Sequence, residues 1–222
     1  MYSVDCLTFT HHNATRQAEY GGAGYIDKST WISEDDEYIQ NSASAAGGAM
    51  YGVDFYDVRL YQAHIRYCIG YAGGALYMLD GKSISIEGSS FLLNRADTLG
   101  GALLLQSVGT AIILSCNFSK NVAYGDGGGM ALVGSTADIN KAQSTTSIVH
   151  VDVVHCIFTE NMGNSTGGGI YSSGVDISLE YSTMDFNIAT YGAGFSGIDT
   201  SANISHTNFL NNTAYVGGGG VS

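Results

Sequence analysis

Apolar residues recur along this chain in pairs two positions apart, and the pairs themselves return about every 26 residues. With a recurring Asn taken as zero, positions −10 and −8 are Ile84/Ile86, Ala111/Ile113, Val151/Val153, Ile177/Leu179 and Ala202/Ile204. Positions −5 and −3 are Ser89/Phe91, Cys116/Phe118, Cys156/Phe158, Ser182/Met184 and Thr207/Phe209. Period-2 pairs are how a strand presents one face to a core. The phase changes between −8 and −5, so a bend separates two short strands that lie on different faces. A third strand begins at Met50-Tyr51, Leu76-Tyr77, Leu103-Leu104, Met130-Ala131 and Ile170-Tyr171, each just after a Gly-rich element. The i, i+3, i+4, i+7 spacing of a helix is missing.

The Gly-rich elements begin at 21, 47, 73, 100, 127, 167, 192 and 218, and a period of this length marks a solenoid, a propeller or an array. Three short strands in a 26-residue coil predict an all-β fold, a single-stranded parallel β-helix of about eight coils. One domain covers 1–222, and both ends fall inside a repeat unit, as expected of a segment of a longer array. Most units pair an aromatic residue and Asn, three apart, with the Gly element that follows, as in Phe118/Asn121/Gly127-Gly128-Gly129-Met130. Phe is expected in the core. Asn41, Asn94, Asn121, Asn161, Asn187 and Asn212 are expected to form a turn ladder, bonding to their own backbone and to the Asn of the next coil. Glycine at the tight bend permits positive φ and close backbone approach. One interval is 40 residues long, and its polar, non-alternating stretch 134–147 predicts a loop insertion.

Composition narrows the function. There is no Pro, which suits a backbone bonded in strands almost throughout. Net charge is −12 with eight Lys and Arg, so the basic stripe that nucleic acid needs is missing and anionic membrane surfaces are disfavoured. No apolar run reaches the roughly 20 residues of a membrane span, and no signal peptide is visible at the N-terminus.

Candidate chemistry is sparse. Cys116 and Cys156 share position −5 in consecutive coils, so their Cα atoms fall about 5 Å apart, which fits either a disulfide or a reduced ladder under the Phe stack. Cys6 and Cys68 do not match each other in register, and no Cys/His spacing for zinc occurs. His155, Tyr181 and His206 share position −6 and predict a stacked column at the bend. Tyr25, Tyr51 and Tyr77 form a second column, and Tyr124 and Tyr215 share a turn position. Such columns can bind carbohydrate rings or pack a neighbouring subunit. The run Glu34-Asp35-Asp36-Glu37 reads as a solvated face that protects an edge. A glycoside hydrolase needs two carboxylates about 5–9 Å apart. Asp97 and Asp126 are not matched in position, and Asp152 faces Asn203 two coils on. No catalytic, cofactor or metal-binding residues are therefore assigned. Asn13, Asn117, Asn164, Asn203 and Asn211 are N-glycosylation sequons.

The tandem pairing of Phe-x-x-Asn with Gly-Gly-Ala-hydrophobic over residues 38–221 resembles the polymorphic outer membrane protein repeats of chlamydiae. The resemblance implies a right-handed parallel β-helix on the cell surface that serves adhesion and self-association. With the sequons, it leads to the expectation of an extracellular structural glycoprotein, a secreted eukaryotic relative of that family. This protein would carry N-linked glycans and build a surface filament through self-association. An adhesin binding a glycan or a protein is the alternative, and a polysaccharide lyase or hydrolase is a distant third.

Overall fold

The computed structural model describes residues 17–134 and 149–222, and every regular element among them is a β-strand. A complete coil reads Leu103–Gln106, Thr110–Leu114, Asn117–Ser119 and Val122–Ala123. Corresponding strands of successive coils pair in parallel, and the chain winds as a parallel β-solenoid of about seven turns. Taken in coil order, the first three sheets have seven strands each and the fourth has eight.

The alternating pairs form the second and third sheets, and the strand after the Gly element forms the first. Ile84, Ala111, Val151, Ile177 and Ala202 are register partners in turn, as are Phe91, Phe118, Phe158, Met184 and Phe209. Each coil nevertheless has four strands, where the pattern predicted three. The extra strand follows the Asn and is as short as two residues. Its inward positions are Ala43, Gly70, Ala96, Ala123, Gly163 and Ala189, too small to give an apolar alternation. The solenoid is narrow there, and the strand leaves no hydrophobic trace in the sequence.

Like residues stack on like down the interior. The Phe91, Phe118 and Phe158 rings lie parallel with centroids 4.6 and 4.7 Å apart. Full burial of each ring contributes on the order of 2–3 kcal/mol. The 40-residue interval leaves this register undisturbed, because Thr110–Leu114 pairs directly with His150–Val154. The expected insertion, apart from Gly134, lies outside the described residues.

Three corner columns, those of Ser107, Ser115 and Lys120, take positive φ on residues that are mostly not glycine. A left-handed residue other than Gly costs about 1–2 kcal/mol. The corners offset this by continuing the coil-to-coil bonding: Ser115 N–H donates to the Val154 carbonyl (2.9 Å) and Lys120 N–H to the Thr159 carbonyl (3.0 Å). Glycine is indispensable in the Gly element. Gly100 has φ 65°, and a Cβ on Gly101 would run into the carbonyl oxygen of Gly128 in the next coil.

Candidate functional site

The Asn column is the most completely bonded set of side chains in the solenoid. Asn121 Oδ1 accepts from Asn94 N–H and from Asn94 Nδ2, both at 3.0 Å. Its own Nδ2 donates to the Phe91 carbonyl and to Asn161 Oδ1, also at 3.0 Å. The pattern repeats at Asn161 and Asn187 and runs on to Asn212. The expected ladder is present, with one correction. Each Oδ1 accepts from the backbone of the preceding coil, not from its own backbone, so the side chains tie coils together.

Cys68 also stands in this column. Its N–H donates to Asn94 Oδ1 (3.0 Å), Asn41 Nδ2 points at its sulfur (3.9 Å), and its thiol faces the Tyr38 carbonyl (3.7 Å). It makes weaker versions of the Asn contacts, and burial pushes its thiol up to about 11. The sequence hides the substitution twice, with Cys in place of Asn and Ile65 in place of the aromatic residue.

Cys116 and Cys156 are stacked, buried, free thiols, and Cys68 is a third buried free thiol. The neighbouring sulfur and burial hold the Cys116 thiol well above the usual range. Cys6 and Asn13 lie outside the described residues.

The acidic run departs from expectation. Glu34 and Asp35 are exposed, but Asp36 is buried at the inward −5 position and accepts from Ser33 Oγ (2.7 Å) and Tyr38 Oη (3.4 Å). Strand alternation turns that one carboxylate into the core, where two hydroxyls replace its water. Burial, first of all, raises the Tyr38 phenol.

The aromatic columns form as predicted. Ring centroids are 5.2 Å apart for His155–Tyr181 and 4.6 Å for Tyr181–His206, all three at a positive-φ corner. The Tyr25–Tyr51 and Tyr51–Tyr77 centroids are 5.5 and 5.3 Å apart, and Tyr20 joins that cluster 5.2 Å from Tyr51. These rings are largely engaged with one another. Tyr51 is only 8% exposed, and the Tyr77 hydroxyl donates to Gln106 Oε1 (2.6 Å). Tyr124, just past the two-residue strand Val122–Ala123, and Tyr215, within Thr213–Gly217, are both exposed.

Asp126 Oδ1 is occupied by the Thr166 N–H and hydroxyl, both at 2.9 Å. Asp152 sits beside Ser178, whose partner in the following coil is Asn203, as the register predicted. Asp54 and Asp80 fall on one corner in successive coils, but both are exposed, and Lys28 lies 3.8 Å from Asp54. Among the described residues no group of three or more His, Cys, Asp or Glu is placed to hold a metal, and no helix is long and apolar enough to cross a membrane.

The sequon residues Asn117, Asn164, Asn203 and Asn211 are all exposed. Asn117 lies on the third sheet and Asn203 on the second, while Asn164 and Asn211 border the fourth. The outer side of that fourth sheet carries the largest apolar display. Over the coils of Asn41 to Asn212, the sheet and its two corners hold ten of the nineteen exposed large apolar residues of the described chain. The sequence did not reveal this face, because it did not reveal the strand beneath it.

Four in-register parallel sheets, a ladder-filled interior and a 26-residue period define the chain as a β-solenoid repeat protein. Residues 155–173, one aromatic-x-x-Asn unit with its Gly element, match the repeat model of the Chlamydia polymorphic membrane protein family, so this unit is similar to that repeat. No curated protein and no solved structure matches the chain.

Proposed function

We propose that this chain is part of a surface repeat protein with a structural role: a rigid solenoid displayed outside the cell that associates with like copies. One observation carries the reading. Among the described residues the interior is filled by stacked rings, aliphatic columns, thiols and hydrogen-bonded polar side chains, so what the molecule offers a partner is its length and its outward rows. The match to a repeat of a membrane protein family supports placement at the surface or outer membrane. N-linked glycans at Asn117 and Asn203 fit this reading, because both side chains project from sheet exteriors and a glycan there leaves the core intact.

Labelling intact and permeabilised native cells with an antibody to this chain tests the placement. Signal on intact cells supports the reading, and signal only after permeabilisation overturns it. Intact mass before and after enzymatic glycan removal tests the glycans, and an unchanged mass removes them.

A further inference from the structure

The outward columns of the fourth sheet occupy positions −1, +1 and +3 around the buried Asn. Three features set this face apart. First, it is apolar: Tyr67, Ile69 and Tyr71 project from one coil and Phe186 and Ile188 from another, with Val122 and Tyr124 midway between. Exposed apolar residues concentrated on one face mark an interaction site. Second, it is nearly neutral on an acidic molecule. Over the seven coils it carries Arg95 and Lys120 against Asp97, Asp126 and Glu160, while the rest of the described chain has four basic and fifteen acidic residues. Two copies repel less through this face than through the second sheet, whose outward side carries Arg59 against Glu34, Asp57, Glu87, Asp152, Asp176 and Glu180. Third, part of the display is symmetric about the coil of Asn121. Two coils to either side lie the aromatic–Ile pairs Tyr67/Ile69 and Phe186/Ile188. One coil to either side lie Arg95 and Glu160.

We infer that the outer face of the fourth sheet docks a second copy of this chain, antiparallel, about a two-fold axis through the coil of Asn121. This rests on the self-association in the reading above and gives it a surface and a register. Reversing the coil order across the axis sets Tyr67 on Phe186 and Ile69 on Ile188, with Val122 and Tyr124 meeting their own counterparts. It also brings Arg95 of one copy into the facing row of Glu160 of the other. Such an isologous interface closes on itself. Seven coils at strand spacing and a five-residue width give a footprint of about 34 by 16 Å, on the order of 1,000 Å² buried by the pair. That area is at the lower bound for a specific contact, so the dimer is a concentration-dependent one. Asn164 at +3 and Asn211 at −1 lie within these columns, so a glycan on either would block it.

Cysteine cross-linking of the full chain made without glycans tests the register, in a Cys6→Ser background because the described native thiols are buried. Val122→Cys should form a covalent dimer under mild oxidation, at least ten times faster than Ser85→Cys on the second sheet. Ile69→Cys and Ile188→Cys should cross-link when mixed and only slowly alone. Sedimentation of the unmodified chain should show a monomer–dimer equilibrium, and Ile69→Glu should leave only monomer with an unchanged thermal melt. Val122→Cys cross-linking no faster than Ser85→Cys overturns the interface, and rapid self-cross-linking of Ile69→Cys overturns the antiparallel register. A monomer that still labels on intact cells removes this interface and leaves the surface placement standing. A dimer found only inside cells does the reverse.

Discussion

Replacing Asn121 by Ala removes the central rung of the ladder, and the structure sets the size of the effect. The side chain is fully buried, and its four hydrogen bonds all run to neighbouring coils at 3.0 Å. At a net of about 1 kcal/mol per bond the loss is about 4 kcal/mol, and the Asn94 N–H, left without its acceptor, pushes it upward. For a chain of this length each kcal/mol shifts the melting temperature by about 2–4 °C, so the expected drop is roughly 8–16 °C. Circular dichroism melts measure it, with Asn164→Ala at an exposed site as the control, expected within about 0.5 kcal/mol of the parent. Hydrogen exchange should also show the Asn94 amide losing protection. A drop under about 3 °C, or an Asn94 amide as protected as before, would refute the claim that the rungs bind coil to coil.

Other perturbations follow from the same geometry. Cys68→Asn completes the column with a stronger donor toward the Tyr38 carbonyl and a stronger acceptor for Asn41 Nδ2, and should raise the melting temperature by about 2–8 °C, or about 1–2 kcal/mol. Gly101→Ala drives a methyl into the Gly128 backbone, which cannot move without breaking the coil spacing, so soluble yield and melting temperature should both fall sharply. Alkali should destabilise the fold. Burial lifts Cys68 from 9.0 to about 11 and Tyr77 from 10.0 to about 12, so the folded state holds both protons more tightly than the unfolded chain does. Their stabilisation is complete below pH 9 and is lost as pH rises through 9–12, and melts across that range should fall less steeply in Cys68→Asn. In a Cys6→Ser background, a thiol reagent should label the native protein slowly and the denatured protein at once. Fast native labelling would contradict the burial of Cys68, Cys116 and Cys156.

Much of this fold is legible in the sequence because a solenoid stacks equivalent residues, so each inward position is written several times over. Phe91, Phe118 and Phe158 announce one face, and Ile84, Val151 and Ile177 announce another. The fourth strand is illegible for an equally physical reason: Ala96, Ala123 and Gly163 face inward and carry too little apolar contrast to register as alternation. The surface on that strand was lost with it. Asp36 escaped notice because a run of four acids resembles a solvated edge, and only strand alternation decides which of the four turns inward. Cys68 escaped because it fills an Asn position with a different atom type. What remained readable was the scaffold, since burial imposes a pattern on the core and imposes none on an outward row.

Imaging of the native assembly at the cell boundary tests the central claim most directly. The account predicts rods outside the cell, with coils at the strand spacing of about 4.8 Å, lying side by side in antiparallel pairs joined through the fourth sheet. Isolated particles confined to the cell interior, with no rod axis, would contradict it.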